Sequence, residues 1–280
     1  MDSIEKAAWA LRNADAILIG AGAGMGVDSG LPDFRGKEGF WRAYPAIAKL
    51  GKSFAEMANP EWFRTDPRLA WAFYGHRLNI YRRTSPHAGF AQLLKLGAGK
   101  PHGYFVYTSN VDGHFQRADF ALDRVFECHG SIHHFQCAIP CGNQIWDATD
   151  ESVSVDETAF RADDPLPKCR ACGGLARPNI LMFGDGQWNI NRAQSQQVYF
   201  GRWLTALTTA RARLVVVELG AGTAVPSVRH ASEEMIDRLG AKLIRINPRE
   251  PEVPPGQIGI AQGAAETIDR ICRALAEIAD

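Results

Sequence analysis

A run of glycines directly after an apolar strand restricts this chain more than any other feature. Residues 16–20 read AILIG, and the chain continues as GAGAGMGVDSGLPDFRG over 20–36. Backbone without side chains can approach a pyrophosphate closely, and a following helix N-terminus suits the phosphate charge. So many glycines in one strand exit point to a nucleotide rather than to a tight turn alone. The loop does not obey G-x-G-x-x-G: counted from Gly20 the third position falls on Met25, and from Gly22 on Val27. No acidic residue ends a second strand at the distance a dehydrogenase uses to hold ribose. Instead Pro32 is followed by Asp33, Phe34, Arg35 and Gly36, which sets an aromatic ring and a guanidinium beside the phosphates. That arrangement suits a dinucleotide that is cleaved better than one that shuttles hydride.

Three further runs, YFVYTSN (104–110), LVVVEL (214–219) and AKLIRIN (241–247), are nearly continuous in apolar residues, as parallel strands covered on both faces should be. Helical patterns lie between them. The last, residues 264–280, carries Ile268, Ile271, Cys272, Leu275 and Ile278 on one stripe. The alternation predicts an α/β fold with a doubly wound, mostly parallel, Rossmann-like sheet.

Two stretches break the rhythm. Residues 37–80 are rich in Trp, Phe and Tyr and read as a helical insert. Residues 133–180 hold four cysteines, several prolines and the acidic run DATDESVSVDETAFRADD, which reads as a solvated surface loop. A segment with so small a core needs a staple. Cys137 with Cys141, and Cys169 with Cys172, supply four thiolates for a tetrahedral zinc. With sulfur in every position the metal has no place for water, so its role is folding. Cys128 and Cys272 read as small buried hydrophobes. The expected division is a dinucleotide domain from 1–36, 81–132 and 181–280, a helical insert at 37–80 and a small zinc-binding module at 133–180.

Lys plus Arg and Asp plus Glu are 31 each among 280 residues, so no broad basic face is available for direct nucleic-acid binding. No apolar run is long enough to span a bilayer. The N-terminal residues carry acids and a short strand-like run and do not read as a signal peptide. The expectation is a cytoplasmic protein without membrane contact; oligomeric state stays open.

The motifs together resemble the sirtuins, the NAD-dependent protein-lysine deacylases. The similarity runs in order from the glycine loop through SPH (85–87), TSNVD (108–112), ECHGS (127–131), the two cysteine pairs and RPNILMFGD (177–185) to IRIN (244–247). One such motif is weak, and this many in order are strong. The resemblance implies that NAD is consumed: nicotinamide leaves C1′, the acyl oxygen attacks that carbon, and free lysine and O-acyl-ADP-ribose result. It implies His129 as general base on a ribose hydroxyl, Asn110 at the nicotinamide-side ribose, and Asp112 with the Val111 backbone at the carboxamide. Gly22, Ala23, Gly24, Asp33, Arg35, Ser109, Gly220, Ala221 and Gly222 would contact the cofactor, Phe34 would cover the reaction centre, and Asn247 would reach the adenosine ribose. His133 and His134 read as ordinary core or surface residues.

Tyr74 and Arg77, at i and i+3 of a helical pattern, share a face. A Y-x-x-R pair here resembles the sirtuins that remove succinyl, malonyl or glutaryl groups, with Arg bidentate to the carboxylate. Three departures from the family pattern are Gly26 for a serine, Ser109 for a glutamine and Gly220-Ala221-Gly222 for Gly-Thr-Ser. They keep two alternatives open: NAD glycohydrolysis and transfer of ADP-ribose to protein.

Overall fold

The computed structural model describes residues 1–32, 44–49 and 51–279. Its strands are β1 (Ala16–Ala21), β2 (Tyr104–Thr108), β3 (Val125–Glu127), β4 (Gly130–Cys137), β5 (Ile145–Asp147), β6 (Val155–Asp156), β7 (Arg161–Ala162), β8 (Ala176–Ile180), β9 (Leu214–Leu219), β10 (Lys242–Ile246) and β11 (Ile258–Ile260). Its helices are α1 (Ser3–Arg12), α2 (Pro45–Lys49), α3 (Phe54–Met57), α4 (Trp62–Thr65), α5 (Pro67–Arg83), α6 (Ala88–Ala98), α7 (His114–Arg117), α8 (Asn191–Ala210), α9 (Ser227–Leu239) and α10 (Ala264–Ala279).

The four apolar runs become β1, β2, β9 and β10 of one six-stranded sheet, ordered β11-β10-β9-β1-β2-β3 and parallel throughout. Every residue of β1 and β9 is buried, because helices cover both faces. Ile17 and Ile19 pack with Ile4, Leu11, Phe90 and Ile268 of α1, α6 and α10. Ala16 and Leu18, one residue out of phase, pack with Phe200, Trp203 and Met235 of α8 and α9. The period of two along the strand thus divides its side chains between two helical layers. Cys272 of α10 and Cys128 after β3 lie half-buried against these layers.

Chain order runs β1-β2-β3 in one direction and β9-β10-β11 in the other. The reversal falls between β1 and β9, so the loops leaving their carboxyl ends diverge and open a crevice.

The two inserts share one core. Tyr44, Phe63, Trp71 and Phe73 from the helical segment pack with Ile132, Phe135, Trp146 and Phe160 from the cysteine-bearing segment, and the Trp71 indole N–H donates to the Ala176 carbonyl at 3.0 Å. β5-β4-β8 form a small antiparallel sheet at its centre. The acidic run differs from the solvated loop expected of its composition. It forms the β6–β7 ladder and lies over α5, where Asn79 donates to the Val153 carbonyl at 3.0 Å. Arg68 pairs with Asp164 and Asp66 with Arg161. Asp164 and Glu151 meet arginines and the other acids stay exposed, while Val153 enters the core and Val155 packs against it.

Candidate functional site

A cleft of about 620 Å³ lies where the crevice of the sheet meets the second core. Its floor is backbone. Gly220 sits at φ +58°, and a Cβ there would stand 2.4 Å from the Cα of Gly24; both the conformation and the space require glycine. The Gly24 N–H donates to the Gly220 carbonyl at 3.0 Å. A Cβ on Gly22 would stand 2.7 Å from the Gly220 carbonyl oxygen. The loops after β1 and β9 therefore meet main chain to main chain, a cradle that fits a pyrophosphate and that any side chain at these positions would fill.

Neighbouring groups fix the cradle. His87 of the SPH motif places Nε2 3.1 Å from the Met25 carbonyl, while Nδ1 accepts from the Gly89 N–H, tying the glycine loop to the start of α6. The Ala221 carbonyl accepts from Asn247 Nδ2 at 2.8 Å and Arg229 Nε at 3.2 Å. Asn247 Oδ1 accepts from the Arg249 and Glu250 N–H groups, and the residue is fully buried. Asn247 thus braces the loop that carries Ala221.

After β2, Asn110 Nδ2 donates to the Gly22 carbonyl at 3.0 Å, and an Asp112 carboxylate oxygen accepts the His114 N–H at 2.9 Å. His133 Nε2 donates to the Asp112 carbonyl at 2.8 Å, so this histidine clamps the turn that carries Asn110, Val111 and Asp112. Nothing in the adjacent histidine pair signalled that role.

His129 ends the β3–β4 connection. Gly130 follows at φ +80°, where a Cβ would stand 2.1 Å from the Asn179 carbonyl oxygen; only glycine lets β4 start this close to β8. The His129 carbonyl accepts from the Leu181 N–H at 2.9 Å, and its Nε2 lies 3.1 Å from Ser227 Oγ. Burial lowers the imidazole pKa by disfavouring the charged form, which favours the unprotonated ring.

Tyr74 and Arg77, both buried, line the opposite wall of the cleft. Burial raises the Tyr74 phenol, so its hydroxyl stays a neutral donor. Among the described residues that hydroxyl has no hydrogen-bond partner. The Arg77 guanidinium donates to the Tyr81 hydroxyl at 2.8 and 3.1 Å and lies 5.3–5.9 Å from the ring centres of Phe54, Phe73, Tyr74 and Tyr81. An aromatic surround of this kind stabilises a desolvated cation. Tyr81 also lines the cleft; its spacing of four residues from Arg77 was the signal that could have found it. Leu181, Phe183 and Val225 stand 40–43% exposed at the rim, and a buried Arg177–Asp185 pair at 2.8 Å holds the loop that carries the first two.

The cleft thus unites Gly22, Ala23, Ser109, Asn110, Val111, Asp112, His129, Gly220, Ala221, Gly222, Tyr74 and Arg77. Gly24 lies beneath the cradle. Asp33, Phe34 and Arg35 lie outside the described residues.

Away from the cleft, Cys137, Cys141, Cys169 and Cys172 place their sulfurs within 4.8 Å of one another. Cys137–Cys172 and Cys141–Cys169 stand 3.7 and 3.6 Å apart, close to the edge of about 3.8 Å that a tetrahedron of Zn–S bonds requires. Burial opposes ionisation of Cys169, but the Cys172 and Ala171 N–H groups outweigh it and bring that thiol down to about 7. The four cysteines are positioned to bind a zinc ion.

The Sir2 family profile matches residues 22–200. NAD-dependent protein deacylase 1 of Archaeoglobus fulgidus is 30% identical over 276 residues, covering 96% of each chain. An NAD-dependent protein deacylase of Aquifex aeolicus is 34% identical over 175 residues, 62% of this chain and 64% of that one. A crystal structure of a Sir2 homologue–NAD complex superposes with a TM-score of 0.70 at 26% identity, covering 100% of this chain and 96% of that one.

Proposed function

The chain belongs to the Sir2 family and is an NAD-dependent protein deacylase; from that premise we propose that it takes lysines carrying an acidic acyl group, with His129 as general base. The observation that carries the acyl preference is the Tyr74 hydroxyl, unpartnered among the described residues, on the same buried wall as the Arg77 guanidinium. A carboxylate reaching that wall would accept from both. Leaving a buried donor unsatisfied costs about 1–3 kcal/mol, so the site gains most from an acyl chain that ends in an acceptor.

Bound NAD supplies the electrophilic C1′ and leaves as nicotinamide and O-acyl-ADP-ribose. Gly22 and Gly220, backed by Gly24, hold the pyrophosphate by close backbone approach. Asp112 and the Val111 backbone, clamped by His133, orient the carboxamide. Asn110 orients the ribose beside the cradle. His129 takes a proton from a ribose hydroxyl, for which its ring must be unprotonated, the form that burial favours. The apolar rim of Leu181, Phe183 and Val225 covers the acyl-lysine stem and excludes water.

Ser109 favours a second reading. A short hydroxymethyl where the family has a long amide leaves room for water by the ribose, which favours NAD hydrolysis. One assay separates them: NAD turnover with succinyl-lysine peptide, acetyl-lysine peptide and no peptide. Deacylation predicts peptide-dependent O-acyl-ADP-ribose that His129→Ala abolishes. An equal rate without peptide assigns hydrolysis, and label retained on protein assigns ADP-ribosyl transfer.

A further inference from the structure

The imidazole that performs proton transfer needs one nitrogen held and the other free, as in any base oriented by a third group. Here the held nitrogen is Nε2, 3.1 Å from Ser227 Oγ. Ser227 is the first residue of α9, and the preceding Pro226 makes no side-chain cap bond. His129 lines the cleft, whereas the α9 residues beside it in that lining are Val225 before the helix and Val228 within it. Ser227 itself is not among the residues that line the cleft.

We propose that Ser227 is the positioning residue of the reaction: its Oγ accepts from His129 Nε2–H, fixes the ring and its tautomer, and leaves Nδ1 as the atom that takes the ribose proton. A hydroxyl is suited to this because it stays a partner in both states of the ring. When Nδ1 takes the proton, the Nε2–H···Oγ bond becomes charge-assisted and strengthens, so the pair stabilises the imidazolium as it forms. The inference rests on His129 being the base.

Titratable groups on the surrounding elements are engaged elsewhere. Glu127 of β3 pairs with Arg192 of α8, and the Cys128 thiol lies against the Tyr107 hydroxyl of β2. Asp112 accepts from the His114 N–H. Arg229 of α9 donates to the Ala221 and Glu250 carbonyls, and Asp185 is held by Arg177. Across the cleft Arg77 donates to Tyr81. Among the described residues none of these groups is bonded to the ring, whose side-chain partner is Ser227, so a change at Ser227 reads out cleanly.

The test compares wild type, Ser227→Ala, Ser227→Thr and His129→Ala by pH profiles of deacylation, and by ¹⁵N NMR titration of His129 in the NAD-free protein. Ser227→Ala is expected to lower kcat by about 10- to 100-fold, the size of one hydrogen bond to a charged group, with KM for NAD little changed. Losing the acceptor destabilises the imidazolium more than the neutral ring. The acid limb and the NMR titration should therefore both move to lower pH, and Ser227→Thr should restore both. The wild-type ring should show the Nε2–H tautomer. A loss of rate with no movement of limb or titration, a wild-type Ser227→Ala enzyme, or an Nδ1–H tautomer overturns the proposal. Activity retained in His129→Ala overturns instead the assignment of the base, on which the proposal stands.

Discussion

A β-carbon built on Gly75 would stand 2.4 Å from Cγ1 of Val153. At this point the hairpin from the acidic run rests directly on the backbone of α5, one residue after Tyr74 and two before Arg77. The contact sets how deeply the helix sits in the second core and therefore where those side chains emerge in the cleft.

Gly75→Ala should destabilise the protein although alanine is the better helix former. Helix propensity favours alanine by about 1 kcal/mol, but overpacking costs about 1–3 kcal/mol, and the crowded atoms belong to the short side chain of Val153, itself buried in the second core. We expect a net loss of about 1–2 kcal/mol in urea denaturation. Val153→Ala reopens the space, so the double variant should recover part of that loss, and a strictly additive double variant would count against the contact.

Tyr74→Phe with Arg77→Met should reduce kcat/KM for succinyl-lysine peptide by at least about 100-fold, the scale of two charge-assisted hydrogen bonds, and for acetyl-lysine peptide by far less. Steady-state kinetics on the two peptides check this. Equal losses would return both residues to a purely structural role.

Purified protein should contain about one zinc per chain by elemental analysis. Chelation, or Cys169→Ser, should lower Tm and also cut activity, although the metal lies away from the cleft. Cys137 and Cys169 belong to the same packed cluster as Tyr74, so loosening the staple loosens the wall that carries Tyr74 and Arg77. A chelated protein with unchanged Tm and activity would remove the metal from the fold.

Stability should fall as pH drops below the ordinary imidazole range. Burial lowers the pKa of His87, His114, His129 and His133, and brings His134 to about 4. Above the unfolded value both states are neutral and these groups contribute no pH dependence. Between the unfolded and folded values only the unfolded chain binds the proton, so each group costs about 1.4 kcal/mol per pH unit. Urea midpoints should therefore decline from pH 7 to pH 5, and His134→Gln should flatten the slope. A flat profile over that interval would contradict the burial argument.

Much of the α/β half was legible along the chain. β1, β2, β9 and β10 are buried on both faces, so their apolar runs are uninterrupted, and α10 shows its stripe because only one side meets the sheet. The cysteine pairs were readable because a metal draws on short local spacings. The glycine loop was readable because close backbone approach removes side chains altogether.

Composition misread the acidic run because its acids and its valines serve opposite faces of one hairpin. That division exists only once α5 lies beneath it.

By itself, the order of residues determined the parallel sheet, the glycine-lined loop and the clustered cysteines. Those depend on periodicity, on missing side chains and on contacts within a few residues. Tertiary structure alone decided that Ser227 meets His129 across 98 positions, that His133 clamps Asp112, and that Val153 seats α5 through Gly75. Such pairings arise where distant segments are folded together, and no local pattern encodes which atoms will then stand within hydrogen-bonding or van der Waals reach.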